Sequence, residues 1–264
     1  MGQRLIIFFF LAVFVNCDSP STTNTTDYTL VWEDNFDVDG SISSDKWTYE
    51  TGNGCPYLCG WGNGEAQYYT ARPENVVVAN GHLRIQAQRE NYQGSSFTSA
   101  RIKTQSLFQF TYGKVEVRAK LPTGGGVWPA IWLLGSNITT VGWPSCGEID
   151  IMEFAGNRPH QISAAIHNAS SYGNTQYSER HSIENAGSDF HVYEIVWDAD
   201  KIQFFVDGTR FYVYSPYPKT AENWPFDADH FIILNVAMGG SYGGSISADF
   251  QSSAMEIDYI RVYQ

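Results

Sequence analysis

The sequence predicts an all-β domain, a sandwich or barrel of short antiparallel strands, and three observations carry that expectation. Apolar and polar residues alternate with a period of two through residues 81–87, 114–121 and 255–259, the pattern of strands with one buried face. β-Branched and aromatic runs recur between Gly, Asn, Asp and Pro clusters, which punctuate strands and turns. No long stretch carries the 3.6-residue period of an amphipathic helix, so helix is expected only as a turn or two in loops, such as around residues 221–224.

The elements follow in chain order. Arg4, an apolar run over residues 5–15 and the Val15-Asn16-Cys17 end read as a secretory signal peptide at 1–17. The run is shorter than the ~20 residues that span a bilayer. Residues 18–29 are Ser/Thr-rich with almost no apolar side chains, as in a mobile leader. One domain is expected over 30–264, a length that all-β sandwiches often occupy as a single unit. Removing Cys17 leaves Cys55, Cys59 and Cys146. A Cys55–Cys59 bridge across the Pro56 loop and a buried free Cys146 are expected. Sequons stand at Asn24, Asn137 and Asn168. Between residues 192 and 214 the turn signals Asp198-Ala199-Asp200 and Asp207-Gly208 predict three strands in meander order.

Composition narrows the function classes. With 43% hydrophobic residues, including 16 Tyr, 16 Phe and 8 Trp, the chain can bury a sizeable core and keep aromatic faces in reserve. The net charge of −12 repels nucleic acid and anionic membrane and suits a neutral or cationic partner.

The most informative stretch is Gly147-Glu148-Ile149-Asp150-Ile151-Met152-Glu153. On a strand, Glu148 and Asp150 share one face while Ile149 and Ile151 enter the core. Glu153, five positions from Glu148, points the wrong way, and a buried carboxylate there is costly. A one-residue β-bulge near Met152 returns it to the face of the other two acids. Such a row can be a solvated face or a calcium site. Framed by Trp and Pro residues, however, it suits a cleft in which crowding keeps one carboxyl protonated beside an ionised one, the pair that glycoside hydrolysis requires.

This strand resembles the bulged ExDxxE motif of glycoside hydrolase family 16, in its laminarinase-type members. The likeness extends over 61–70 (WGNGEAQYYT), 99–102 (SARI), 112–118 (YGKVEVR), 126–134 (GVWPAIWLL) and 257–263 (IDYIRVY). It implies a β-jelly roll of two curved antiparallel sheets with an open cleft. It also implies retaining endo-hydrolysis of β-1,3-glucan, with Glu148 as nucleophile, Glu153 as general acid/base and Asp150 as the neighbour that tunes Glu148. No cofactor is required, and a monomer is the default for an open cleft. Other relatives are transglycosylases or act on mixed-linkage glucan or galactan; non-catalytic β-glucan recognition proteins of this kind have usually lost the glutamates.

The same resemblance nominates binding residues. Trp128 and Trp132, evenly spaced on a strand, can be core or can stack on sugar from one face. Asn63 either supports its Gly-rich loop or offers an amide to sugar hydroxyls, and Arg101, on an exposed strand, either balances surface charge or contacts substrate. His167 is either an ordinary histidine or a ring that reaches the acid/base. Relatives carry a structural calcium near the positions of Gly81 and Asp258, but Asn35 stands where they often have Glu. Ser241-Tyr242 replaces an Asn-Trp found in many laminarinases.

Overall fold

The computed structural model describes residues 1–2 and 27–264. Most of the expected signal peptide and leader, Cys17 and the Asn24 sequon lie outside the described residues. Seventeen strands occur among the described residues. They run as β1 (Leu30–Asp34), β2 (Thr48–Glu50), β3 (Gln67–Tyr69), β4 (Val76–Ala79), β5 (His82–Tyr92), β6 (Ser95–Ser99) and β7 (Arg101–Lys103). Then come β8 (Gly113–Lys120), β9 (Val127–Gly135), β10 (Glu148–Phe154), β11 (Gln161–His167) and β12 (Ser178–Ser182). The last are β13 (His191–Trp197), β14 (Ile202–Val206), β15 (Thr209–Tyr214), β16 (His230–Met238) and β17 (Ser252–Tyr263).

Two sheets result. A ten-stranded sheet runs β15-β14-β13-β8-β17-β5-β6-β3, with β1 on β17 and β4 on β5. A seven-stranded sheet runs β12-β11-β10-β9-β16-β7-β2. Alternation sets what each sheet buries: β8 alternates between buried and half-buried residues along its whole length. Its Val115, Val117 and Ala119 join Leu83 and Ile85 of β5, Ile257 and Ile260 of β17, and Ile131, Leu133, Ile149 and Ile232 of the facing sheet in one core. Each of these Val, Leu and Ile side chains contributes about 1.5–3 kcal/mol by leaving water. The meander β13-β14-β15 forms as the two turn signals predict, with Asp198 Oδ1 accepting the Asp200 and Lys201 amides.

Helix is confined to single turns in loops, as expected, though the loop at 221–224 carries only a turn. Residues 221–223 form a turn, held by the Trp224 amide on Thr220 O at 2.9 Å, because the Trp224 ring is buried against Tyr214 and Phe226 and draws the chain inward. The short helices among the described residues are Cys59–Gly62, Ile138–Val141 and Gly240–Gly243. Cys55 and Cys59 are bridged, and Cys146 is a free buried thiol. Asn168 is fully buried, its Nδ2 donating to Tyr214 Oη at 3.0 Å and Asn223 O at 3.2 Å. A glycan there is incompatible with the fold.

Candidate active site

The bulge is present and does what the spacing required. Asp150 pairs with Trp132 of β9, but the next partners are Met152 and Ile131, so Ile151 is the extra residue. Against β11 the register steps from Asp150–Ala165 to Glu153–Ser163. Ile151 and Met152 both enter the core, and Glu153 returns to the outer face beside Asp150 and Glu148. Gly147 introduces the strand with φ +80; a Cβ there would lie 2.9 Å from Phe226 and Pro225 side-chain atoms.

Each glutamate is held by an indole. Trp143 Nε1 donates to Glu148 Oε2 at 2.9 Å, and Trp128 Nε1 donates to Glu153 Oε1 at 3.0 Å. Between them Asp150 is buried, with His167 Nε2 3.0 Å from its Oδ2 and 3.7 Å from Glu148 Oε1. The Gly173 amide donates to His167 Nδ1 at 3.1 Å, so Nδ1 is the acceptor and Nε2 carries the proton toward Asp150. The ring thus serves the Glu148–Asp150 side; the expectation that it reaches the acid/base is corrected, because the ladder sets His167 opposite Glu148 and Ser163 opposite Glu153.

Burial raises all three carboxyls, each to about 8, and is a larger cause than the crowding expected from sequence. The charge of Asp150 adds to the rise for both glutamates; His167 and the indole hydrogen bonds oppose it, with Arg158 also opposing it at Glu153. Three such groups share protons near neutrality instead of ionising together. Loss of one proton from the set leaves a carboxylate and a carboxylic acid side by side, the combination for displacement with general acid assistance.

The family model for glycosyl hydrolases family 16 matches residues 63–261. The chain belongs to glycosyl hydrolase family 16. A beta-glucanase from Rhodothermus marinus is 38% identical over 97% of this chain and 93% of its own. Glucan endo-1,3-beta-glucosidase A1 from Niallia circulans is 35% identical over 95% of this chain, which spans only 40% of that longer protein. The crystal structure of a laminarinase from Flavobacterium sp. UMI-01 superposes with a TM-score of 0.85 at 46% identity, covering 89% of this chain and 100% of the other. The two sheets are those of the family 16 jelly roll, with its open cleft across the outer face of the seven-stranded sheet.

In this family 16 cleft Trp128 and Trp132 share the outer face of β9, since Val127, Ile131 and Leu133 fill the core. Trp132 Nε1 donates to Asn235 Oδ1 at 2.8 Å, and Asn235 Nδ2 donates to Tyr69 Oη at 3.1 Å. Arg101 is not a surface charge: its side chain is 13% exposed. The guanidinium lies between the Trp61 and Trp132 rings, 4.7 and 4.8 Å from their centroids, and is paired with Glu50. Asn63 is exposed at the cleft rim, donating from Nδ2 to Glu65 Oε1 at 3.2 Å, while its carbonyl accepts the Ser241 amide. Sequence reasoning missed Glu50, Trp143 and Asn235 as site residues. Trp143 alone left a signal, as part of the carboxylate run; the others meet the site only through partners 50 or more positions away.

At the position where relatives carry calcium, the side-chain oxygens of Asp258 and Asn35 are already engaged by cationic partners. Asp258 is paired with Arg118 and lies 3.8 Å from His82 Nε2. Asn35 Oδ1 accepts from Arg261 at 3.0 Å. Guanidinium groups already supply the positive charge there, whereas calcium needs several free oxygen ligands. Donor atoms of Glu148, Asp150 and His167 lie within 4.8 Å of one another, but a cation there would tie up two of the three carboxyls of the site.

Proposed function

We propose that the protein is a retaining endo-hydrolase of β-1,3-linked glucan with Glu148 as nucleophile and Glu153 as general acid/base. The observation that carries this is the bulged β10, which sets both glutamates on one wall with Asp150 between them, in a chain similar to a laminarinase and a glucan endo-1,3-beta-glucosidase. Glu148 attacks the anomeric carbon while Glu153 protonates the departing glycosidic oxygen, giving a covalent glycosyl-enzyme. Glu153, now ionised, takes a proton from water, which displaces Glu148 and retains configuration. Asp150, held by His167, restrains Glu148. Trp132, half-buried and backed by Arg101, supplies a flat surface for a sugar ring, and Trp128 and Arg101 flank it along the cleft.

Export is supported by the N-terminal apolar segment and by the Cys55–Cys59 bridge, which suits an oxidising compartment. Among the described residues no helix is long and apolar enough to cross a membrane. A monomer is the default for an open cleft, which needs no partner. The test is reducing-sugar release from laminarin, barley mixed-linkage glucan and agarose by the purified protein and its Glu148→Gln variant. Release from laminarin that vanishes in the variant supports the reading; laminarin bound but uncut identifies a recognition protein instead.

A further inference from the structure

The mechanism above uses Glu153 and its indole partner but leaves unexplained what covers them. The turn Gly240–Gly243 lies directly on Trp128. A Cβ at Gly243 would sit 3.2 Å from Trp128 Cβ and 3.0 Å from Gly126 O, and one at Gly240 would sit 2.9 Å from Asn63 O and 3.4 Å from Trp128 Cζ3. Only glycine fits that approach. Between these glycines Tyr242 lays its ring against Trp128, with centroids 5.3 Å apart and planes tilted by 39°. Its hydroxyl is 2.7 Å from Ser163 Oγ, and Ser163 is the residue across the ladder from Glu153. Arg158 closes the other side, its guanidinium 4.6 Å from the Tyr242 centroid.

Trp128 gives Glu153 a defined orientation. Because Nε1–H donates to Oε1, that oxygen is the acceptor and the acidic proton belongs on Oε2, free to meet a leaving oxygen. Rotation of the indole would release that choice. Tyr242 blocks the rotation by being anchored twice, on the indole face and on the strand beside Glu153.

We infer that Tyr242, with Ser163 and Arg158, forms a clamp that holds Trp128 and thereby aims the proton of Glu153 at the leaving-group oxygen. Tyr242 is a positioning residue, and the inference rests on the assignment of Glu153 as the acid. The charged and titratable groups around Glu153 are Asp150 and Glu148 on β10, His167 on β11, Arg158 after β10 and Tyr242. Arg180, across β12 from Ser163, is exposed. Burial is the main influence on Glu153, and Tyr242, laid on its indole partner, is near enough for the Glu153 charge to act on the phenol.

The test compares kcat/KM on a β-1,3-glucan oligosaccharide with that on its 2,4-dinitrophenyl glycoside, whose leaving group needs no proton. Wild type, Tyr242→Ala, Tyr242→Phe and Glu153→Gln are measured across pH. Tyr242→Ala is expected to slow the oligosaccharide about tenfold, a fraction of what general acid catalysis supplies, and to leave the dinitrophenyl glycoside within about twofold. Its basic limb moves to lower pH as water reaches Glu153, whereas Tyr242→Phe, which keeps the ring, retains the wild-type limb. Equal loss on both substrates, or a rise in KM alone with the limb unmoved, overturns the clamp. Wild type inactive on both substrates, or Glu153→Gln still cutting the oligosaccharide at full rate, would instead overturn the function itself.

Discussion

At the scale of single residues the site is built from groups held in protonation states that water would not allow. A carboxyl raised to about 8 when folded, as Glu153 is, but ionising near ~4.3 when unfolded, binds more protons in the folded state throughout that window. The sign follows directly: stability falls as pH rises from about 4.3 toward 8. Glu153→Gln, which is neutral and nearly isosteric, therefore melts above wild type at pH 8. The gain is at least about 2–4 °C, equivalent to 1 kcal/mol for a chain of this size, and shrinks toward pH 4; equal melting points at both pH values would show that burial imposes no such cost. The same variant loses about 10²–10⁴-fold in cleavage of glucan. Azide, which needs no general base, restores turnover of a dinitrophenyl glycoside and leaves a β-glycosyl azide; lack of rescue would remove Glu153 from the acid/base role.

At the scale of elements the decisive feature is one extra residue in β10. Without Met152 the strand reads Glu-Ile-Asp-Ile-Glu-Phe, with acids and apolar residues in strict alternation. Deleting Met152 therefore keeps all three acids on the cleft face and Phe154 in the core. The product folds, is less stable by about 2–5 kcal/mol for the lost core side chain, and keeps measurable activity. Inserting one alanine after Met152 also restores an even spacing, but it turns the apolar Met152 outward and carries Glu153 one residue, about 3.3 Å, further from Glu148, which abolishes activity. Denaturant melts and reducing-sugar assays separate the two variants, and equal outcomes would refute the role given to the bulge. This strand was the most legible part of the sequence, because period-two alternation states the face of each side chain and the break at Glu153 names its remedy. The partner of His167 was not legible: it depends on the register between β10 and β11, which residue spacing within either strand leaves open. That residues 221–223 stop at a single turn was not legible for a related reason, since the burial of Trp224 depends on Tyr214 of β15 as well as on the nearby Phe226.

For the molecule as a whole, fold and chemistry are separable in origin. The two-sheet architecture follows from alternation repeated in strands such as β5, β8 and β17, and any chain with that pattern would bury a comparable core. The cleft is drawn from side chains of β7, β9, β10, β11 and β16 that alternation leaves on the outer face: Arg101, Trp128, Trp132, the three acids, His167 and Asn235. Sequence gave their residue types and the resemblance gave their roles, but the Trp132–Asn235–Tyr69 chain of hydrogen bonds and the stacking of Arg101 between two indoles arise only when strands distant in sequence become neighbours. The central claim is that Glu148 forms a covalent bond to the sugar, and the direct measurement is trapping. Incubation with a 2-deoxy-2-fluoro β-1,3-glucan oligosaccharide bearing a dinitrophenyl leaving group, followed by peptide mass spectrometry, is predicted to find the fluorosugar on Glu148 alone; a label on Asp150 or Glu153, or turnover with inversion and no label, would contradict it.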